Sequence, residues 1–446
     1  MAERMLVIGG VAAGMSAAAK ARRVNPELEI EVYEKSGFIS YGACGLPYFI
    51  AGEVPRVEDL VARTVEQFAK QRIYAHVHHE VTSIDVNAHT IRVRNLETGE
   101  EFTDHWDKLV LTTGGSAARL PLPGLDLPGI FTVRIPEDGV AIRQWIAERK
   151  PRKGVIVGAG YIGLEMAEAL SAHGIEVTIV EMLPQVMPNM DADMAEHVQE
   201  ELERQGVHLQ LEHAVEAFEG DDQVRAVVAG GERFPADIVI FSVGVKPNVK
   251  LAVDAGIALG PTGAVAVDEH MRTNVPNVWA AGDVAEVHHL VLNKPAYIPL
   301  GTTANKQGRV AGTNAAGGDA VFKGVVGTAV AKVFDLQVAR TGLTEAQARQ
   351  EGFDVASVKI KSSTKAHYMP GHAPLFVKLV FEKGSHRLLG GQMIGPEGVA
   401  KRIDVIATAL HAGWTTYQLA ELDLAYAPPF SPVWDPILVA ANVANR

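Results

Sequence analysis

Cysteine is almost missing from this chain: Cys44 is the one such residue in 446. A single thiol excludes any intrachain disulfide, any CxxC redox pair and any zinc ribbon, and leaves Cys44 as either packing or a special thiol. Positive charge is also short, with 41 Lys and Arg against 53 Asp and Glu and a net charge of −12. No overall basic field exists to neutralise the phosphates of a nucleic acid, which excludes that class of partner. Long apolar runs are absent too, none reaching the roughly 18 residues that a membrane-spanning helix needs. The N-terminus, MAERMLVIGG, lacks the basic-then-apolar order of an export signal. A soluble, cytoplasmic protein without nucleic-acid or membrane partners is expected.

What is present is ordinary globular usage, 47% hydrophobic and 21% charged residues, in a chain too long for one core. The organising feature is an internal repeat: LVIGGVAAGMSAAAKARR and then IEVYEK are echoed by GVIVGAGYIGLEMAEALSAHGIEVTIVEM from Gly154. Each copy reads as a short apolar strand, a glycine turn, an alanine-rich helix and a second strand, the βαβ unit of a parallel sheet. After the first copy, VEDLVARTVEQFAKQR reads as helical and VTSIDVNAHTIRVRN with GEEFTDHW as an antiparallel meander. Pro121, Pro123, Gly124, Pro128 and Gly129 mark a linker. The strand VWAAGD and the helix in TTANKQGRVAGTNAA read as a return to the first unit. The remainder alternates the strands TAVAKVFDL, ASVKIKS, LFVKLVF and LLGGQMIG with the helices VAKRIDVIATALHAGW and TTYQLAEL. The expected fold is therefore α/β, with two Rossmann-like dinucleotide-binding domains and a C-terminal α+β domain. The first takes residues 1–114 and 249–318, the second 115–248 and the third, an interface domain, 319–446.

Gly158, Gly160 and Gly163 complete a GxGxxG directly after a strand and at the head of a helix, where backbone N–H groups meet a pyrophosphate. Glu181, at the end of the next strand, suits ribose hydroxyls and repels a 2′-phosphate, which favours NADH and leaves NADPH open. The first copy has Gly9, Gly10 and Gly14, with Val11 where the middle glycine belongs, and Glu34 placed for a second ribose. Two such turns and a distant AAGD segment suggest two dinucleotides, one of them FAD, with Asp283 facing its ribityl and phosphate portion. Cys44 precedes Pro47, a residue suited to a helix's first turn, and a thiol at that N-terminus is expected to favour thiolate. His76, His78, His79, His288 and His289 lack the frame of a metal site, and no metal is assigned.

The segments VIGGVAAG, ACGLPY, GAGYIGLE, TNVPNVWAAGD and DLAYAPPFSP together resemble coenzyme A disulfide reductases, over essentially the whole chain. That family sits among the flavin disulfide reductases, with NADH oxidases and peroxidases that also use one redox-active cysteine. The resemblance implies reduction of coenzyme A disulfide, or a related small disulfide, by NADH through a Cys44–coenzyme A mixed disulfide. Ala12 stands where oxidase and peroxidase relatives carry a histidine, and Gly45, Leu46 and Pro47 follow the cysteine where those relatives have Gly-Met. Both favour a disulfide over oxygen or peroxide. The chain ends soon after AYAPPF with no appended sulfurtransferase domain, which weighs against a polysulfide or persulfide substrate. An NADH oxidase remains the nearest rival, a polysulfide or persulfide reductase another, and a redox sensor that binds both nucleotides the remote alternative.

The resemblance also assigns residues. Ala12, Ala13, Lys35, Thr113, Gly114 and Gly282 join the flavin contacts, and Tyr161, Ile162, Glu165 and Gly244 the nicotinamide side, with Glu165 ordering the nicotinamide against the flavin. Ser16, Lys20, Arg23, Ser40 and Asn305 match coenzyme A contacts. Tyr368 and Tyr426 match catalytic tyrosines that a partner subunit contributes, which implies a homodimer with shared active sites. Ala43 replaces a frequent asparagine, and Trp434 stands where a cationic contact occurs.

Overall fold

The computed structural model describes residues 3–446; Met1 and Ala2, part of the first expected domain, lie outside the described residues. The strands Arg4–Ile8, Glu29–Tyr33, Ile73–His76, Lys108–Leu111 and Val278–Ala280 form one five-stranded sheet. Every pairing in it is parallel. Met5, Leu6 and Val7 are fully buried, as helices and loops on both faces of a parallel sheet require. The strand Val278–Ala280 pairs with Lys108–Leu111 from far back in the chain, so the late segment does return to the first sheet.

The helix Gly301–Ala315 lies backbone to backbone on Ala12–Val24: a Cβ at Gly308 or Gly312 would stand 2.2 or 2.1 Å from the carbonyl oxygen of Ala13 or Ala17. Only glycine permits that approach. The second copy builds a matching parallel sheet from Lys153–Val157, Glu176–Val180, His208–Gln210, Ile238–Phe241 and Ile130–Phe131.

Both parallel units carry a three-stranded antiparallel sheet. The first, His79–Asp85, Thr90–Asn95 and Glu101–His105, is the expected meander. Its counterpart, Val215–Gly220, Val224–Ala229 and Glu232–Pro235, was not anticipated. The C-terminal unit is a five-stranded antiparallel sheet covered by the helices Val399–His411 and Pro436–Ala444. It grips the second unit through Lys378, a buried ammonium between Asp191 (3.3 Å), Asp193 (2.9 Å) and Glu345 (3.2 Å).

Two expectations about elements are corrected. VEDLVARTVEQFAKQR is not one helix but a tight turn, Val57–Leu60, and a short helix, Val65–Ala69, that Thr64 caps in a reciprocal box with Gln67. Val61 between them is extended and bridges Tyr41, so the break serves the cysteine loop. TAVAKVFDL is a hairpin, Ala329–Val333 and Leu336–Gly342, reversed at Phe334 with φ of 51°. Among the described residues no helix is long and apolar enough to cross a membrane.

Candidate active site

The repeat seen in the sequence is repeated in the hydrogen bonds. Gly9 and Gly158 share a φ of +102°, a conformation only glycine adopts easily. Gly9 N donates to Tyr33 O (2.8 Å) and Gly158 N to Val180 O (2.9 Å). A Cβ on Gly14 would meet the Gly9 carbonyl at 1.8 Å, and one on Gly163 the Gly158 carbonyl at 2.0 Å. These last glycines let helix and strand close tightly.

The Glu34 carboxylate, 7% exposed, accepts from Gly10 N (2.7 Å) and Ser36 N (2.8 Å). Glu181, 6% exposed, accepts from Ala159 N (2.8 Å) and Leu183 N (2.9 Å). Burial raises the Glu34 pKa, while the bonds from Gly10 and Ser36 oppose the shift. Thr112 and Ser242 play one part in the two copies, each donating its hydroxyl back to the glycine turn. Just beyond them Gly114 and Gly244 both take positive φ. Thr113 lies between, its hydroxyl donating to Asn248 O (2.8 Å). Val11, at the missing glycine's place, has a negative φ of −103°, so that position does not call for the left-handed backbone that favours glycine.

Both turns fit a dinucleotide. Neither the helix Ala12–Val24 nor Tyr161–Ser171 has a side-chain cap, so their first N–H groups face outward for an anion. A Cβ at Gly160 would meet nothing within 4 Å, leaving that backbone approachable. Lys35 is exposed beside the buried Glu34.

The cysteine loop hangs from the first turn. Ser40, held at φ of +50°, donates its N–H to Gly10 O (2.8 Å) and accepts from Ala62 N (2.8 Å). Cys44 follows in a single 3-10 turn, Ala43–Gly45, ahead of the six-residue helix Leu46–Ala51 with Pro47 in its first turn. Cys44 is exposed as a residue, while protein atoms crowd round its sulfur and strip part of its hydration. The expectation that this helix favours thiolate is corrected: burial by the surrounding walls pushes the Cys44 thiol up, Glu165 adds to the shift, Arg134 opposes it and Asp283 reinforces it.

Sequence reasoning missed Arg134. Its guanidinium pairs with the Asp283 carboxylate and also donates to Gly115 O (2.9 Å), joining the first unit to the start of the second. Nothing local marks a pair separated by 149 positions. Gly282, at φ of +81°, packs against Ala13, and its N–H donates to Gln307 (2.9 Å).

Ser16 and Asn305, from the two closely packed helices, hydrogen-bond at 2.6 Å. Lys20 and Arg23 lie further along the helix that carries Ser16. Tyr368 and Tyr426 are brought together, hydroxyl to hydroxyl at 3.4 Å, on the C-terminal unit. They are 62% and 44% exposed, with Phe430, Val433 and Trp434 exposed as well, an aromatic surface suited to a second subunit. Among the described residues neither phenol hydrogen-bonds Cys44 within the chain.

Two parallel nucleotide-binding units, a lone cysteine tied to the first and an antiparallel C-terminal unit define a flavin- and pyridine-nucleotide-dependent oxidoreductase. The chain belongs to the pyridine nucleotide-disulphide oxidoreductases: residues 3–308 match that family and residues 328–436 match its dimerisation domain. It is 43% identical over 443 residues to the NAD(P)H sulfur oxidoreductase (CoA-dependent) of Pyrococcus furiosus, with 99% of each chain covered. It is 33% identical over 430 residues to the coenzyme A disulfide reductase of Staphylococcus aureus, with 96% of each covered. The crystal structure of reduced Bacillus anthracis CoADR-RHD matches with a TM-score of 0.97 at 38% identity, covering 100% of this chain and 80% of that one. The Pyrococcus match spans nearly that protein's whole length, so a sulfur oxidoreductase of this family needs no appended domain. The argument from chain length against a persulfide substrate falls.

Proposed function

We propose that the protein reduces coenzyme A disulfide with NAD(P)H through a Cys44–coenzyme A mixed disulfide, as a homodimer in the cytoplasm. The observation that carries this reading is the lone, exposed Cys44 on a loop bonded to the first nucleotide turn. Residues 1–114 with 249–318 are assigned to FAD, 115–248 to the pyridine nucleotide and 319–446 to the interface. Glu34, Asp283 and the first turn would hold FAD, and Glu181 with the second turn NAD(P)H. Bound FAD supplies a two-electron relay from NAD(P)H to sulfur.

The chain's own part is sulfur exchange. Cys44 thiolate attacks one sulfur of coenzyme A disulfide, the S–S bond breaks, and one coenzyme A thiolate leaves. The mixed disulfide then takes up an electron pair, the second coenzyme A thiolate leaves, and Cys44 returns as thiolate. With one proton supplied from solvent and one from NAD(P)H, two thiols form per nucleotide oxidised. Reduction releases Cys44 already ionised, so no base need deprotonate it. Its raised pKa makes that thiolate the stronger nucleophile. The partner subunit's Tyr368 and Tyr426 protonate the departing thiolates, and the Ser16–Asn305 pair with Lys20, Arg23 and Ser40 receives coenzyme A.

The test is anaerobic NADH consumption with coenzyme A disulfide, beside a polysulfide arm and an aerobic arm lacking disulfide. Fast anaerobic turnover with the disulfide that vanishes in Cys44→Ser, flavin retained, is the expected result. Turnover with polysulfide alone favours the second reading, which the likeness to the Pyrococcus sulfur oxidoreductase supports. Consumption only in oxygen would sink both in favour of an oxidase.

A further inference from the structure

Behind the helix that follows Cys44 lies a pocket of about 10 Å³, room for one water, lined by Pro47, Tyr48, Glu53, Glu165, Glu168 and Lys332. Three structural units meet there. Glu165 and Glu168 sit one turn apart on the helix Tyr161–Ser171, at the head of which stands the second glycine turn. Lys332 comes from the C-terminal hairpin and pairs with Glu168, whose other oxygen accepts from Phe334 N (2.9 Å). No hydrogen bond or ion pair to the Glu165 carboxylate occurs among the described residues.

We propose that Lys332 is a positioning residue for the pyridine-nucleotide site: by offsetting part of the charge of Glu168 it tunes the charge on Glu165, and so the site's preference for the oxidised, cationic nicotinamide over the reduced, neutral one. The inference rests on the reading that the pyridine nucleotide binds at the second glycine turn. Burial, then the neighbouring Glu168, pushes the Glu165 carboxyl up to about 7. The other titratable groups around it are Tyr161 on its own helix and Cys44, Tyr48 and Glu53 on and beside the cysteine helix, none of them cationic. Lys332 is thus the one cation lining the pocket. An ionised Glu165 attracts a nicotinamide ring that carries positive charge and is indifferent to one that does not. Affinity for the oxidised nucleotide therefore rises as pH passes upward through the midpoint.

The experiment titrates the FAD-loaded protein with NAD+, and separately with tetrahydro-NAD, whose uncharged ring transfers no hydride, across about pH 5 to 9. NAD+ is expected to bind more tightly above a midpoint near 7, with tetrahydro-NAD flat. Lys332→Met leaves Glu168 uncompensated and moves the midpoint to higher pH, Glu168→Gln moves it lower, Lys332→Arg restores it, and Glu165→Gln abolishes the dependence. An unmoved midpoint in both Lys332→Met and Glu168→Gln, or equal pH dependence for the two nucleotides, overturns the proposal. No disulfide enters the titration, so it can fail while coenzyme A disulfide turnover stands, and the reverse.

Discussion

The two glycine turns agree in nearly every backbone hydrogen bond and differ in where the spare glycine sits. The first reads Gly10–Val11 and the second Ala159–Gly160. At Gly10 a Cβ would press on Ile39 at 2.9 Å and on Glu34 at 3.0 Å, because the cysteine loop crosses there; at Gly160 it would meet nothing within 4 Å. One copy spends its freedom from a side chain on its own loop, and the other leaves it facing a ligand. The same motif thus serves packing in one unit and access in the other, which a pattern of letters does not distinguish.

The comparison breaks most sharply at its shared element. Gly14→Ala drives a Cβ into the Gly9 carbonyl, and overpacking of this kind costs about 3 kcal/mol; thermal unfolding and flavin absorbance should show a destabilised, flavin-poor protein. Gly163→Ala makes the equivalent clash but should leave flavin in place and raise the KM for NADH roughly tenfold, a loss of about 1.4 kcal/mol. Equal flavin loss in both would erase the division of labour.

Next in size come the carboxylates. A glutamine offers one oxygen where Glu34 or Glu181 accepts two backbone N–H groups, and an unmet buried donor costs about 1–3 kcal/mol. Glu34→Gln should weaken FAD retention measured by dialysis, whereas Glu181→Gln should narrow the ratio of kcat/KM for NADH over NADPH. An unchanged ratio would remove Glu181 from nucleotide choice. Gly160→Ala is the smallest effect: with open space and φ of −81° it should shift Tm by no more than about 2 °C, and a large drop would show that the open position is structural after all.

Much of this was legible because the signals are local. Strand, glycine turn and alanine-rich helix each lie within a stretch of about thirty residues in both copies, and VWAAGD read as a return to the first unit, where Val278–Ala280 pairs with Lys108–Leu111. What escaped was long-range electrostatics. Arg134 meets Asp283 and Lys332 meets Glu168 across 149 and 164 positions. The thiol's direction of shift depends on carboxylates that only folding brings close. The helix drawn through Val57–Ala69 failed for a related reason: Val61 gives up helical backbone to pair with Tyr41, a tertiary contact that overrides local propensity.

The bond from Ser40 N to Gly10 O carries a lesson for redesign. It splices the sulfur-bearing loop into the cradle of one nucleotide; the equivalent bond in the second turn, from Met187 N to Ala159 O (2.9 Å), ties down a loop that carries no cysteine. A designer can therefore treat the second module as exchangeable, swapping its cofactor preference as one changes a plug. Recoding the first would retune the sulfur chemistry with it.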